Sequence, residues 1–153
     1  MAKKTEQSRM EFWADYEKRY GEKVLAYVLG KYLSGWPDYS YPLWGLLIAT
    51  DGGFRFHHFP HEGWLQALSR VTTGSEPPRE KTIFIPRDRI LSAELRFEKR
   101  WWKKLLAYQP PVLAIRYQTG VLPGTETAPG MELLAETDKT GKVLIPLLTQ
   151  DKL

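Results

Sequence analysis

Two short apolar runs around Asp51-Gly52-Gly53 constrain the fold of this chain more than any other feature. Leu43–Thr50 and Phe54–Phe59 each have the length and composition of a β-strand. The glycines between them permit the positive φ that a tight turn requires. The pattern therefore predicts an antiparallel hairpin, which ends at Pro60 because proline cannot donate to a strand ladder.

Further segments along the chain also resemble strands. They are Glu22–Ser34, the two runs on either side of Pro86 within Lys81–Phe97, Val112–Gln118, Met131–Thr137 and the last strand or irregular piece Val143–Leu148. Glu22–Ser34 is ambiguous, since its apolar residues also form a helical stripe. Some seven short strands with short connections indicate an antiparallel barrel or sandwich.

One helix is expected near the N-terminus. Phe12, Trp13, Tyr16 and Tyr20 form one stripe of a helix over residues 11–20, and Gly21 suits its end. Residues 1–10 are polar and expected to be disordered. A length of 153 residues suits a single domain spanning residues 1–153.

Composition excludes several classes of protein. Cysteine is absent, so disulfides, thiolate zinc sites and cysteine nucleophiles are excluded. No apolar run approaches the ~20 residues of a membrane span, and the first ten residues are unlike a signal peptide. We expect a cytoplasmic protein, able to attach peripherally to a membrane.

Several pieces in chain order resemble a bacterial pleckstrin-homology-like (PH-like) or GRAM-like domain. The pieces are GEKVLAYVLGKYL, GLLIATDGGFRFHHFP, IFIPRDRILSAEL, the basic KRWWKK, LAIRYQT and LLAETD, which together cover Gly21–Asp138. The resemblance implies a PH-like antiparallel barrel of about seven short strands, with residues 22–34 as its first strand. The chain is thus expected to be all-β with an added N-terminal helix.

The chain departs from this family in two respects. Such domains end in an amphipathic helix that plugs one mouth of the barrel, whereas Val143–Leu153 is short and contains Pro146. The N-terminal helix or residues 63–71 would then have to cover that opening. Family members that bind phosphoinositides use basic residues in the loop after the first strand, and here that loop, SGWPDYSY, has none.

Basic charge is concentrated in one window. Nine Lys/Arg against four Asp/Glu between Arg79 and Lys104 give this window +5, while the whole chain carries +4. The candidate binding residues lie at its end: Arg96, Lys99, Arg100, Trp101, Trp102, Lys103 and Lys104. After Phe97 the alternation of Leu91, Ala93, Leu95 and Phe97 gives way to charge, so the chain is expected to leave the core. Basic residues beside tryptophan suit a lipid interface, nucleic-acid bases or a protein partner. A solvated tip with one tryptophan folded inward is the alternative.

The three histidines, His57, His58 and His61, lie next to Glu62. Imidazole and carboxylate ligate zinc or nickel. Adjacent strand residues point to opposite faces, so the candidate metal ligands are His57, His61 and Glu62. Ordinary strand-end and loop histidines are the alternative explanation.

The sequence predicts a non-enzymatic binding module without a cofactor. No nucleophile motif and no phosphate-binding glycine loop is present. The expected partner is a protein or an anionic membrane surface. A nucleic-acid-binding barrel that adds Arg87 and Arg89 to the same surface is the second hypothesis, and a metal-dependent hydrolase at the histidines is the third.

Overall fold

The structure is a computed structural model that describes residues 2–58, 81–97, 99–106, 109–119 and 130–149. Its strands are β1 Val24–Ser34, β2 Leu43–Thr50, β3 Gly53–His58, β4 Lys81–Pro86, β5 Ile90–Arg96, β6 Val112–Gln118 and β7 Gly130–Glu136. They form one seven-stranded sheet in the order β4-β3-β2-β1-β7-β6-β5, and every pairing is antiparallel. The sheet is open between β4 and β5.

Three α-helices accompany the sheet in the described part of the chain: α1 Ala2–Tyr20, α2 Trp101–Leu106 and α3 Leu144–Thr149. Two 3-10 turns, Arg87–Arg89 and Lys139–Val143, precede β5 and α3. The expectation of a mostly β protein with an N-terminal helix is therefore confirmed at this level.

The predicted hairpin is present. β2 and β3 pair as far as Thr50 opposite Gly53, which leaves Asp51-Gly52 as a two-residue turn. Gly53 has a φ of 146°, and a Cβ on it would lie 2.1 Å from the carbonyl oxygen of Ile85. Glycine is required here for both conformation and space.

The ambiguous segment is a strand, β1, as the resemblance implied. It pairs with β2 over most of its length and with β7 from Lys31 to Ser34, with a register shift between Tyr32 and Ser34. β1 therefore joins the two halves of the sheet.

The inner face of the sheet forms the main core. Its largest fully buried side chains are Tyr32, Leu47, Phe54, Phe56, Ile83, Ile85, Ile90, Leu113, Ile115, Leu133 and Leu144. The alternation predicted for β3 is confirmed, since Phe54 and Phe56 belong to this core. Leu113, Ile115 and Tyr117 of β6 are likewise buried together.

Helix α1 packs on the outer face of the same sheet. Phe12 and Tyr16 are buried there against Leu46 and Ile48 of β2. The helix begins at Ala2, so the expectation that residues 1–10 are disordered is wrong for residues 2–10. An Arg9–Glu6 ion pair of 2.8 Å supports the added turns.

A buried arginine joins the end of α1 to β3. Arg55 lies between the rings of Tyr20 and Phe84, at 4.2 and 4.3 Å from their centroids. It also donates to Glu22 Oε1 at 2.9 Å. The outer face of β3 is thus covered as fully as its inner face.

The C-terminal segment corrects a second expectation. It forms helix α3 rather than a strand, and Leu144 and Leu148 are buried in the main core. Pro146 is the third residue of α3, within the first turn, where an N–H has no intrahelical acceptor. A C-terminal helix therefore covers the core, and α1 covers the outer face instead of an open end.

Candidate functional site

The basic window ends in the connection between β5 and β6. These strands pair from Ile90 opposite Tyr117 to Arg96 opposite Val112. The described residues that follow β5, Phe97 and 99–106, include helix α2 and are called the tip below. The chain does leave the sheet after Arg96, as the sequence predicted.

The tip exposes large apolar side chains. Phe97 is 53% exposed, Trp102 46%, Leu105 75% and Leu106 79%. Trp102, Leu105 and Leu106 are spaced i, i+3 and i+4 in α2, so they share one face of the helix. Lys99 and Arg100 are exposed at the two positions before this helix. The tip therefore places an apolar face beside positive charge.

Arg96 is held at the base of the tip by two carboxylates. It donates to both oxygens of Glu132 at 2.8 and 2.9 Å and to Glu94 Oε1 at 2.7 Å. These hydrogen bonds raise the pKa of Arg96 and lower the pKa of Glu132. Since Glu132 lies on β7, the Arg96 side chain crosses β6 and ties the hairpin to the rest of the sheet. The positive charge of Arg96 is therefore neutralised by Glu94 and Glu132.

The other predicted binding residues of the tip lie just before α2 or within it. Arg100 and Lys99 are exposed on the approach to α2. Trp101, Lys103 and Lys104 belong to α2, and their side chains lie outside what the structure describes. Their part in binding stays a prediction.

Two positions of the predicted core alternation, Leu91 and Phe97, lie on the surface. Leu91 is exposed, because the pairing of β5 with β6 shifts register between Ile90 and Ser92. A bulge of this kind turns the following residues to the opposite face. Ala93 and Leu95 then pack against the core, as expected.

The histidines have local structural partners. His57 is buried with Nδ1 3.2 Å from the Tyr16 hydroxyl, and His58 Nδ1 donates to the Trp44 carbonyl at 2.7 Å. His61 and Glu62 lie outside the described residues. Within the described ranges, no three His, Asp or Glu side chains come together in a way that could hold a metal ion.

A cavity that the sequence did not indicate lies beside the β1–β2 loop. It has a volume of about 210 Å³, and its wall includes Trp36, Asp38, Arg89 and Tyr117. Its residues come from the β1–β2 loop, the end of β4 with the following turn, and the end of β6. Since these segments are distant in sequence, a local pattern could not bring them together.

Among the residues that the structure describes, no helix combines the length and apolar character needed to cross a bilayer. No protein-family model, no curated protein and no solved structure matches this chain.

Proposed function

We propose that this chain is a non-enzymatic binding module that docks on an anionic membrane surface through the tip. The observation that carries the proposal is the apolar face of α2, formed by Trp102, Leu105 and Leu106, beside exposed basic residues. Apolar side chains of this kind enter the boundary between headgroups and acyl chains, while lysine and arginine meet the lipid phosphates.

A membrane suits this surface better than a folded protein does. A stable protein interface buries roughly 800 Å² and involves about 20–30 residues on each partner, whereas the described residues of the tip number nine. A protein would also need a cleft that matches the tip, whereas a bilayer adapts to it. A protein partner is the second candidate, because large exposed apolar groups also mark such interfaces.

The nucleic-acid hypothesis has weaker support. Arg87 would have to reach phosphates, yet it donates to the carbonyl oxygens of Asp51, Thr50 and Leu147 at 3.1, 2.7 and 2.5 Å. Its guanidinium thus holds the β2–β3 turn and α3 together. Only Arg89 of that pair is left to add to the tip.

We also propose that the fold is a PH-like barrel. The support is the strand order, in which β1 pairs with both β2 and β7, together with a C-terminal helix whose leucines reach the core. The loop after β1 has no basic residue, so a phosphoinositide headgroup is not expected there.

Vesicle co-sedimentation tests the proposed function. The wild-type chain should bind vesicles of phosphatidylcholine with phosphatidylserine, and bind less at high salt because the contact is partly ionic. The triple variant Trp102→Ser, Leu105→Ser, Leu106→Ser should bind at least about tenfold more weakly, since it removes the apolar anchor. Unfolding curves should be nearly unchanged, because the three side chains are exposed.

A matched control removes similar groups elsewhere. Leu29→Ser with Trp44→Ser removes two exposed apolar side chains from the outer face of β1 and β2 and should leave binding unchanged. A wild-type chain that ignores anionic vesicles, or a tip variant that binds as well as the wild type, contradicts the proposal. If the wild type binds single-stranded DNA and the tip variant does not, the nucleic-acid hypothesis is favoured instead.

A further inference from the structure

The cavity beside the β1–β2 loop has a fixed wall. The Tyr32 hydroxyl accepts from Trp36 N and donates to the Tyr39 carbonyl, each at 2.8 Å. The Tyr117 hydroxyl donates to the Gly35 carbonyl at 2.6 Å. These bonds hold the loop against the sheet, so the cavity is formed before any ligand arrives, which lowers the cost of binding.

The floor of the cavity is aromatic. The rings of Trp36 and Tyr117 are stacked, with centroids 5.9 Å apart and planes inclined by 29°. Ile85 and Pro86 add apolar surface beside them. At about 210 Å³, the cavity is smaller than the ~300–1,000 Å³ of pockets for drug-sized ligands. The cavity therefore suits a small ligand with a single apolar side chain.

Two opposite charges, Arg89 and Asp38, stand at the cavity. Arg89 and Asp38 both line it and are both exposed. Within the described ranges, neither side chain makes a hydrogen bond or an ion pair, with the other or elsewhere. Asp38 acts on its neighbour by charge, since burial and then this carboxylate raise the pKa of Tyr39. Arg87, two residues from Arg89, by contrast donates hydrogen bonds to three carbonyl oxygens.

We propose that this cavity binds a small zwitterion with an apolar side chain, of the size and chemistry of a free amino acid. Its carboxylate meets the Arg89 guanidinium, its ammonium group meets the Asp38 carboxylate, and its side chain rests on Trp36. Arginine suits carboxylates because its planar donors can make paired, charge-assisted hydrogen bonds. The inference is independent of the membrane proposal, since no tip residue takes part.

Calorimetric titration with L-phenylalanine, L-leucine and L-methionine tests the site. At least one should bind saturably to the wild-type chain. Phenylacetate and phenethylamine, which each lack one of the two charges, should bind more weakly than L-phenylalanine. Arg89→Gln and Asp38→Asn should each weaken binding by roughly tenfold or more, because each removes a charge-assisted contact.

Arg116→Gln is the matched control, since Arg116 is exposed and adjacent to Tyr117 in sequence but on the other face of β6. It should bind like the wild type. Absence of saturable binding by all three amino acids overturns the inference. Equal affinity in Arg89→Gln or in Asp38→Asn also overturns it, and loss only in Arg89→Gln would indicate a simple carboxylate site instead.

Discussion

Two glycines with positive φ, Gly53 and Gly21, differ in how closely other atoms approach the position of a Cβ. Gly53, with a φ of 146°, has the Ile85 carbonyl oxygen 2.1 Å from the position of a Cβ. Gly21, with a φ of 67°, has nothing within 4 Å of that position. The first glycine is required by both backbone conformation and space, and the second by conformation alone.

Alanine at these positions should therefore have unequal effects. Gly21→Ala should lower the free energy of unfolding by about 1–2 kcal/mol, the cost of a left-handed conformation. Gly53→Ala should lower it by more than ~3 kcal/mol, because the strand must also move away from β4. Urea unfolding of both variants measures the difference. Equal decreases in the free energy of unfolding would show that β3 can move away from β4 at little energetic cost.

The sequence predicted the turn at Gly53 because its signal is local. It did not predict that Arg96 is held by Glu132, since that bond depends on the register of three strands. It placed Leu91 in the core because simple alternation contains no bulge. Predictions for single residues thus succeed where neighbours in sequence decide the structure, and fail where cross-strand partners decide it.

Among the elements, α1 has the clearest structural role. Its aromatic stripe was visible in the sequence, and the structure buries Phe12 and Tyr16 on the outer face of β2. The strand character of β1 was ambiguous, because its apolar residues also fit a helical stripe. Helix α3 was missed, because Pro146 argues against a helix unless its position in the first turn is known.

Substitutions in α1 test this role. Phe12→Ala should lower the free energy of unfolding by about 3–5 kcal/mol, as expected for a large buried aromatic side chain. Met10→Ala changes an exposed residue of the same helix and should cost less than ~0.5 kcal/mol. Deletion of residues 1–20 should lower the melting temperature substantially. An unchanged melting temperature after that deletion would show that α1 is dispensable for folding.

For the molecule as a whole, stability should depend on Tyr117 at alkaline pH. Burial, and next the neighbouring Tyr32, raise the pKa of Tyr117 to about 12, whereas tyrosine in an unfolded chain titrates near ~10. The folded state therefore keeps a proton that the unfolded state loses. Stability from this source is complete below pH ~10 and is lost as the pH rises through ~12, by about 2–3 kcal/mol in total.

Tyr117→Phe should separate this effect from other tyrosines. At pH 7 the variant should be about 1–2 kcal/mol less stable, since the Gly35 carbonyl loses its donor. Between pH 10 and 12 the wild type should lose stability faster, so the two unfolding curves should converge. Parallel curves over that range would mean that Tyr117 ionises as readily in the folded protein as in the unfolded chain.

The overall β class followed from many weak signals that agreed: short strands, turn residues and alternation. The cavity at Trp36 and Arg89 had no such signal, because three segments far apart in the chain build it. The tip was predictable in outline, since a break in alternation marks where a chain leaves its sheet. How its apolar groups are arranged became clear only from the helical spacing in α2.

The double pairing of β1 also sets an order of events during folding. Its contacts with β2 close a short loop, but Lys31 pairs with Glu136 across 105 residues of chain. Local hairpins close within microseconds, while contacts of large sequence separation form slowly. As the chain emerges from a ribosome, the β1–β2–β3 meander can assemble early, yet the β7 side of β1 stays unpaired until the last strand is made. A nascent chain that has not yet produced β7 therefore exposes an unpaired edge of β1, the kind of edge to which another chain can pair.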